Sequence, residues 1–351
     1  MTIENLAGKA LTVEGPVDPA TLGEVSMHEH LFLDITAPPH NPRPGYDRSE
    51  AHTPLTLENL SAARMGGAII DNSLLGSFDE QLAEVLPFRY LGGGALVDVS
   101  SIGLGRDADA LRRLSRASGL HVVMGAGWYE RNFHPANMDE LTVEEMTAQI
   151  VADITVGVDG TGIRSGVIGE VGVEGNPLTD NELKSVRASG RASRLTGAPI
   201  TFHRGGVGDE QHTVLDVLED EGVDLHRVTM GHAGTVGLDM PFARRLLARG
   251  VFVEADFLGT TGSPWGTLFP FTDRTVAFGL KALVDEGFGD RIVLGHDVCQ
   301  KIQLRRYGGH GYTYLHEHFL PTLVEIGIAP ETVRAFMTTN AHRALTFGAP
   351  A

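Results

Sequence analysis

The chain contains 351 residues, of which 45 are acidic and 28 are basic, so its formal net charge at pH 7 is −17. An excess of negative charge this large argues against nucleic acid or an anionic membrane surface as the main partner. The composition, 42% apolar and 21% charged, is typical of a globular protein and excludes disordered, collagen-like and coiled-coil chains. The single cysteine, Cys299, excludes an intrachain disulfide.

The N-terminal segment carries no sign of a targeting peptide. Residues 1–15 lack both the apolar core of a secretory signal and the arginine-rich pattern of a transit peptide. No run in the sequence approaches the roughly 18 consecutive apolar residues that a membrane-spanning helix needs. We therefore expect a cytoplasmic protein that has neither a membrane nor a nucleic acid as its partner.

Short apolar or β-branched runs alternate along the chain with segments of helical spacing. Two of these helical segments are 107–118 and 181–196, each long enough to return the chain to the start of a parallel strand. Eight such strands indicate an α/β protein with the repeated βα pattern of a (β/α)₈ TIM barrel. In chain order the predicted strands are 24–33, 95–99, 121–127, 166–171, 199–203, 227–232, 251–257 and 291–297.

The stretch between the first two predicted strands does not fit this repeat. It contains a ninth apolar run at 67–72 and the segment PPHNPRPGY at 38–46, which is rich in proline and glycine. We assign approximately residues 35–95 to an irregular insertion outside the barrel. The whole chain, 1–351, is then interpreted as a single barrel domain.

An open, doubly wound sheet is the alternative architecture. Such sheets commonly bind dinucleotides through a G-x-G-x-x-G turn after the first strand. The glycine groups at 92–94 and 103–105 do not have that spacing. They indicate ordinary turns, so the barrel remains the favoured interpretation.

Side chains that bind metals stand at the C-terminal ends of the predicted strands, where the active sites of barrels lie. In the first strand His28 and His30 are two residues apart and share a face, whereas Glu29 points to the opposite face. The eighth strand ends in His296 and Asp297. Six potential ligands therefore converge on one mouth of the barrel: His28, His30, Glu170, His203, His232 and Asp297.

With 15 histidines in the chain, some are expected at strand ends by chance. A single histidine is more often a core or surface residue than a ligand. A cluster of four histidines and two carboxylates is different, because unpaired buried charges cost roughly several kcal/mol each and divalent cations would compensate them. Six ligands exceed the number that one tetrahedral zinc uses, and a bridging carboxylate lets two ions share a site. We expect two divalent ions, zinc first, with manganese, cobalt or iron also compatible.

The ordered strand-end motifs resemble the phosphotriesterase-like branch of the amidohydrolase superfamily over nearly the whole chain. These motifs are HEHL, VDVSSIGLGRD, GAGWY, IGEVG, TFHRG, GHAG and GHD followed by YGGHGY. Many members of that branch bridge their metals with a carbamylated lysine on the fourth strand, but this strand has no lysine. Glu170 instead resembles the bridging residue of the phosphotriesterase homology proteins.

The same resemblance implies a role for each ligand. His28 and His30 would hold a buried metal, His203 and His232 would hold a more exposed metal, and Glu170 would bridge the two. Asp297 would bind the buried metal and carry protons during the reaction.

Three further residues are candidates for binding the substrate. Tyr129, just beyond the third strand, resembles the tyrosine that lactone-hydrolysing relatives carry near the exposed metal, where a phenol can polarise a carbonyl. The alternative is that Tyr129 only forms part of the cavity wall. Arg204 and Lys301 can anchor an anionic group of the substrate. Arg305 and Arg306 follow in sequence but fit an ordinary surface helix better.

Several other residues are assigned roles outside the ligand set. The carboxylates Asp98, Glu254 and Asp256 can orient the ligand histidines. The HEH triplet at 316–318 imitates the first-strand motif, but residues two apart do not face each other on a helix, so it indicates solvated surface. Cys299 fits a buried packing residue, because the sequence identifies no base that would activate it.

These features predict a binuclear metal-dependent hydrolase in which a metal-bridging hydroxide attacks a carbonyl and Asp297 accepts and returns the proton. The resemblance favours a lactone or carboxylic ester as substrate, with N-acyl amides and phosphotriesters as alternatives. A barrel that binds metal without catalysis is the alternative from another class. We expect a small-molecule substrate, with or without an anionic group, and a homodimer.

Overall fold

The computed structural model describes residues 4–36, 51–67, 69–204, 208–233, 239–259 and 272–351. Within these ranges eight parallel strands form one sheet, and they correspond to the eight predicted strands. In chain order they are β1 (Glu24–Glu29), β2 (Gly93–Asp98), β3 (His121–Ala126), β4 (Val167–Gly172), β5 (Ile200–His203), β6 (Val228–Met230), β7 (Phe252–Ala255) and β8 (Ile292–Leu294). Each strand pairs with the next one along the chain, as the predicted barrel requires.

The first and last strands of the sheet meet. Just beyond β8, the backbone N–H of Asp297 donates to the carbonyl of His28 in β1 at 2.9 Å. Gly295 lies so close to β1 that a Cβ atom at this position would be 2.6 Å from the Cβ of His28. The strands therefore enclose a barrel, and the contact between β1 and β8, which we call the seam, includes two of the predicted metal ligands.

Helices separate the strands and begin and end at suitable residues. In the described ranges the α-helices are α1 (Leu60–Arg64), α2 (Phe78–Tyr90), α3 (Ala108–Ser118), α4 (Val143–Thr155), α5 (Asp180–Thr196), α6 (Glu210–Asp220), α7 (Met240–Ala248), α8 (Asp273–Asp285), α9 (Leu320–Glu325), α10 (Pro330–Met337) and α11 (Thr339–Leu345). Asp107 caps α3, and Thr179 and Glu182 form a capping box at the start of α5. Both helices end at a glycine with a left-handed backbone, Gly119 and Gly197. No described helix combines the length and the apolar character that crossing a membrane requires.

Apolar side chains fill the barrel below the strand ends. Val25, Val97, Val123, Val167 and Val293 come from five different strands and pack in one buried cluster. Side chains from so many strands can meet in this way only inside the barrel. A larger cluster packs the other faces of the strands against the helices. The polar residues at the strand ends therefore lie directly above an apolar core.

The segment between β1 and β2 is only partly irregular. Leu33–Asp34 pairs with Leu74–Leu75 as a short antiparallel ladder, and the predicted ninth run leads into a 3₁₀ helix at Ile70–Ser73. The segment at 38–46 and Ala68 lie outside the described residues. The prediction of an irregular insertion over 35–95 is wrong for residues 78–90, which form α2.

The sequence of α2 conceals a helix because its buried face is partly polar. Gln81 and Glu84 are buried beside Val85 and Phe88, and Pro87 lies in the last turn. A helix is usually recognised by a continuous apolar stripe at helical spacing. Two polar residues within that stripe and a proline remove the signal.

Candidate metal centre

Two histidines lie together at the end of β1, after an irregularity in the alternation of its side chains between the two faces of the sheet. The register between β1 and β2 shifts between Ser26 and Glu29, and these two residues, three apart, hydrogen-bond to each other. His28 and His30 instead face Glu170 at the end of β4, each at 3.3 Å. The two histidines therefore lie together at the mouth, and Glu29 lies on the other side of the strand.

Three of the histidines share one arrangement. In each, Nδ1 contacts a hydrogen-bond partner that orients the ring, and Nε2 faces the centre of the barrel mouth. The partners of Nδ1 are Glu254 for His28 at 3.1 Å, Asp256 for His232 at 2.9 Å and Ser100 for His30 at 2.9 Å. A histidine that binds a metal commonly donates its other N–H to such an acceptor, which fixes its tautomer and orientation. The arrangement is therefore typical of metal ligands, and Glu254 and Asp256 orient rings as the sequence analysis expected.

Asp98 was expected to orient a histidine ring, but its hydrogen bonds go to the backbone instead. Its carboxylate accepts the N–H groups of Leu31 at 2.7 Å and Ser100 at 3.1 Å. The hydroxyl of Ser100 then contacts His30. Sequence reasoning missed Ser100, although it stands two residues beyond β2 in the motif VDVSS.

The carboxylate of Glu170 lies between different imidazoles. Its Oε1 is 3.3 Å from Nε2 of His30. Its Oε2 is 3.0 Å from Nδ1 of His203, 3.3 Å from Nε2 of His28 and 3.7 Å from Nε2 of His232. The Glu170 backbone N–H donates to the carbonyl of Val99 at 2.9 Å, which fixes the position of this residue against β2. The carboxylate of Glu170 therefore contacts all four histidines of the cluster.

The donor atoms of this cluster fit a divalent cation. Among the described residues, three compact sets of ligand atoms include His28. The first adds Glu170 and His232, the second adds His30 and Asp297, and the third adds Glu254 and Asp256 on the other side of the ring. Nε2 of His28 and Oδ1 of Asp297 are buried and make no hydrogen bond with the described protein. Leaving such atoms unpaired is costly, and a cation would satisfy both. Imidazole and carboxylate donors suit zinc, manganese, cobalt or iron.

The pKa values of the centre reflect the attraction between its carboxylates and its imidazoles. Burial lowers the pKa of His30, but Asp297 and Glu170 outweigh burial and raise it to about 10. Burial also lowers the pKa of His28, and Glu170 and Glu254 raise it well above its usual range. Burial raises the pKa of Glu170, yet the adjacent imidazoles hold it well below its usual range. Bound cations would supply the same positive charge and leave the imidazoles neutral, as metal ligation requires.

His203 is the most accessible of the four histidines, and it lies against Tyr129. Its side chain is 13% exposed, compared with 4% or less for the other three. The Tyr129 hydroxyl is 3.3 Å from Nδ1 of His203, and the two rings meet edge to face with centroids 4.7 Å apart. Burial and neighbouring carboxylates raise the pKa of Tyr129 well above its usual range, so its hydroxyl keeps its proton and can donate it in a hydrogen bond.

A cavity of about 320 Å³ opens beside the cluster. This volume lies at the lower end of the range for small-molecule sites, which is roughly 300–1,000 Å³. Leu33, Leu104, Phe133 and Phe257 give the cavity an apolar part. Its polar wall consists of Glu130, Glu174 and Arg204.

The polar wall of the cavity contains an ion pair and a second carboxyl group. The guanidinium of Arg204, a predicted substrate ligand, lines the cavity and pairs with Glu174. Burial, together with the neighbouring Glu174, raises the pKa of Glu130 to about 8. Sequence reasoning missed both glutamates, because each lies in the loop after its strand and neither belongs to a metal-type motif.

The structure does not bring Lys301, the other predicted anchor, to the cavity. Its ammonium pairs at 2.6 Å with Asp71, and it is not among the residues that line the cavity. Lys301 opens the short 3₁₀ helix Lys301–Gln303, which packs against the segment before β2 and directs the side chain there. Arg305 and Arg306 have exposed side chains, as the surface interpretation predicted.

The two remaining sequence features differ in outcome. Glu317 and His318 are exposed, but His316 is not solvated as predicted, because its Nε2 lies 2.8 Å from Glu24 and its ring packs edge-on against Phe88. The segment Leu315–Phe319 is helical, so its first histidine can face inward while the next residues face solvent. Cys299 is buried at the cavity wall, as a packing residue would be.

The fold and the site together define a metal-dependent hydrolase, in which a (β/α)₈ barrel gathers four histidines and two carboxylates beside a small cavity at its strand ends. Residues 8–345 match the family model described as the phosphotriesterase family. The chain belongs to this family, as the resemblance of its strand-end motifs predicted.

Individual relatives resemble the chain over nearly its whole length. It is 33% identical to an N-acetyltaurine hydrolase of Tetraodon nigroviridis, over 98% of this chain and 100% of the relative. Among solved structures it resembles a resiniferatoxin-binding protein from Rhodobacter sphaeroides, with 36% identity, a TM-score of 0.89 and coverage of 97% and 96% of the two chains. A lactonase from Listeria monocytogenes, 22% identical with a TM-score of 0.79 over 97% and 99% of the chains, shares the fold.

Proposed function

We propose that this chain is a binuclear metal-dependent amidase that removes the acyl group from a small N-acyl compound with an acidic group, such as an N-acyl amino sulfonate. Several relatives that match almost the whole chain carry the name N-acetyltaurine hydrolase. The observation on which the binuclear proposal depends is the position of Glu170, whose carboxylate contacts all four histidines of the cluster. Zinc is the first expectation for both ions.

The resemblance of the strand-end motifs implies the ligand sets. His28, His30 and Asp297, whose donor atoms form one compact set, would hold one cation. His203 and His232, which both lie near Glu170, would hold the other, and Glu170 would contact both. Divalent cations in such a site polarise a carbonyl oxygen and lower the pKa of water to near neutrality. Glu254, Asp256 and Ser100 keep the ligand rings in place.

Asp297 is the residue best placed to move the proton. Its carboxylate lines the cavity, and its Oδ1 lies 3.4 Å from Nε2 of His30 without a hydrogen bond to the described protein. Burial raises the pKa of Asp297, but His30 and the other imidazoles lower it, so the group is ionised and can accept a proton. Asp297 would take this proton from the attacking water and return it to the leaving amine, because an amine leaves readily only when protonated.

The substrate would be oriented by the two walls of the cavity. The Tyr129 hydroxyl would donate a hydrogen bond to the carbonyl oxygen of the acyl group. Arg204 would bind the acidic end of the substrate, in competition with its present partner Glu174. The apolar part, with Leu104 and Phe133, would receive a short acyl chain.

The sequence analysis preferred a lactone or ester over an amide, and that preference stays a prediction. The names of the full-length relatives favour an amide. The lactonase among the structural neighbours supports the fold alone at 22% identity. The homodimer also stays a prediction, and light scattering on the purified protein would test it.

The proposal is tested by metal analysis and a substrate panel. The purified protein is assayed for bound metal by mass spectrometry and for turnover of N-acetyltaurine, N-acyl amino acids, γ- and δ-lactones and a phosphotriester. We expect two equivalents of metal and the highest kcat/KM on an anionic N-acyl amide. Arg204→Ala should raise KM for that amide about tenfold or more, the loss of one charge-assisted hydrogen bond, and should leave a neutral lactone almost unaffected. Preference for a lactone by a hundredfold would replace the amide, and one equivalent of metal or less would reject the binuclear centre.

A further inference from the structure

A fully buried carboxylate lies directly behind the metal centre, on the side of β1 that faces away from the barrel mouth. Oε1 of Glu29 accepts hydrogen bonds from the Ser26 hydroxyl, from Nδ1 of His296 and from the backbone N–H of His296 at 3.1 Å. Oε2 accepts the backbone N–H of Val298 at 3.2 Å. Four donors therefore converge on one acceptor-only group, which the proposed reaction does not use.

The two backbone N–H groups that Glu29 accepts belong to the residues on either side of Asp297. The N–H of Asp297 itself donates to the carbonyl of His28 at 2.9 Å. Three consecutive N–H groups after β8 are thus bound by two consecutive residues of β1. Asp297 has a left-handed backbone with φ of 55°, a conformation that few non-glycine residues adopt, although Asp is one of those enriched in it. The contacts of Glu29 hold the backbone on both sides of this residue.

His296 extends the arrangement to the next segment of the chain. The backbone N–H of Leu315 points at Nε2 of His296 at 3.2 Å, so Nε2 must be the acceptor and the ring proton resides on Nδ1. Nδ1–H in turn donates to Glu29. His296 therefore links Glu29 to the segment 311–319. Hydrogen bonds at both ring nitrogens fix the orientation of the His296 ring.

We propose that Glu29 is a positioning residue, which fixes the backbone of residues 296–298 and so holds the carboxylate of Asp297 at the metal centre. The inference rests on the role proposed above for Asp297. It assigns a purpose to the second residue of HEHL, whose carboxylate contacts His296 and Ser26 behind the metal centre.

The chain contains a matched control, a second buried glutamate that binds two backbone N–H groups. Glu84 in α2 is 5% exposed and accepts the N–H groups of Arg305 and Arg306, each at 2.9 Å. Glu84 belongs to the same loop system after β8, but the residues that it holds have exposed side chains and do not line the cavity. Glu84→Gln should therefore reproduce the structural cost of Glu29→Gln without the effect on Asp297.

The experiment compares Glu29→Gln with Glu84→Gln in the full-length protein. In Glu29→Gln an amide NH₂ replaces one carboxylate oxygen and faces a donor, so either the 296 or the 298 N–H loses its acceptor. In metal-free protein, we expect amide hydrogen exchange in the peptide that covers 296–298 to accelerate at least tenfold in Glu29→Gln alone. In zinc-loaded protein, we expect kcat to fall roughly 10- to 100-fold with KM changed less than threefold, and zinc loss to a chelator to accelerate, the range known for residues that orient metal ligands.

The outcomes separate this inference from the proposed function. Wild-type exchange at 296–298 in Glu29→Gln would overturn the inference, and so would a loss of kcat that is equal in Glu84→Gln. Asp297→Asn, measured in parallel, tests the proposed function independently: undiminished kcat in Asp297→Asn would reject the proton role of Asp297. A large loss in Asp297→Asn together with normal kcat in Glu29→Gln would leave the proposed function intact and reject positioning by Glu29.

Discussion

Asp256→Asn and Glu254→Gln form a pair of substitutions with different expected results. Both residues are fully buried carboxyls at the end of β7, and burial raises the pKa of each to about 7, so charge alone predicts similar effects. Their hydrogen bonds differ. Asp256 uses both oxygens for His232, accepting Nδ1–H and the backbone N–H at 2.9 Å each. Glu254 contacts Nδ1 of His28 with Oε2, and its Oε1 has no hydrogen bond with the described protein.

The magnitudes follow from this difference. In Asp256→Asn the new NH₂ group must face one of the two N–H donors of His232, and a lost hydrogen bond to a charged group costs about 1.5–3 kcal/mol. At about 1.4 kcal/mol per factor of ten, zinc affinity should weaken roughly 10- to 100-fold. In Glu254→Gln the NH₂ group can take the place of the unbonded Oε1, while the amide oxygen still accepts from His28. A neutral acceptor is about half as strong as a charged one, so a loss of about fivefold is expected.

The assay is competition for zinc between each variant and a chromophoric chelator, combined with kcat/KM on the best substrate. Asp153→Asn is the control, because Asp153 is a buried carboxylate that pairs with Arg106 at 3.0 Å and does not line the cavity. It should lower the urea midpoint of unfolding and leave zinc affinity within about twofold, since it contacts no ligand. Equal losses of zinc affinity in Asp256→Asn and Glu254→Gln would refute the argument from hydrogen-bond geometry.

The remaining predictions concern the carboxylates at the centre and one far from it. Asp297→Asn keeps an oxygen that can coordinate a metal but loses the proton acceptor, so kcat should fall about 10²- to 10⁴-fold at unchanged metal content, and an unchanged kcat would assign the proton to another residue. Glu170→Gln removes the charge that offsets repulsion between two cations, so mass spectrometry should find one equivalent of metal or less; two equivalents with normal turnover would contradict the bridge. Burial raises the pKa of Glu182, but backbone N–H bonds, Thr179 first, outweigh burial and lower it below 4.5. Ionised Glu182 therefore stabilises the fold above that pH, and this stabilisation is lost as the pH falls. In urea titrations, the difference in unfolding free energy between wild type and Glu182→Gln should shrink from pH 7 to pH 4. A difference that stays constant with pH would refute this prediction.

The sequence could predict the strands and the strand-end ligands because both are local signals. Apolar runs identify buried parallel strands, and a His or Glu at the end of such a run needs no knowledge of its partners to be noticed. The contacts that failed to be predicted join residues far apart in sequence. Lys301 pairs with Asp71 across 230 positions, and Glu29 binds His296 across 267. No periodicity in either segment contains information about which distant residue it will meet.

The residues of the polar cavity wall illustrate a second limit. Arg204 follows a ligand directly and was therefore noticed, but its partner Glu174 stands in the loop after β4, where the strand pattern has ended. Loop conformation, rather than strand position, decides which side chains reach the cavity. The helix α2 was missed for a related reason, since Gln81 and Glu84 bind loop residues and so are buried despite being polar.

The seam between β1 and β8 also determines when the metal site can exist during synthesis of the protein. Ligand residues 28 and 30 emerge from the ribosome early, whereas Asp297 emerges only after more than four fifths of the chain. Contacts between residues so distant in sequence form slowly, because the whole intervening chain must first be brought together. A nascent chain that lacks β8 would therefore leave the edge of β1 open and the ligand set without Asp297. Completion of the last strand both removes this edge, where aggregation would begin, and assembles the ligand set, so metal incorporation should report that the barrel has closed.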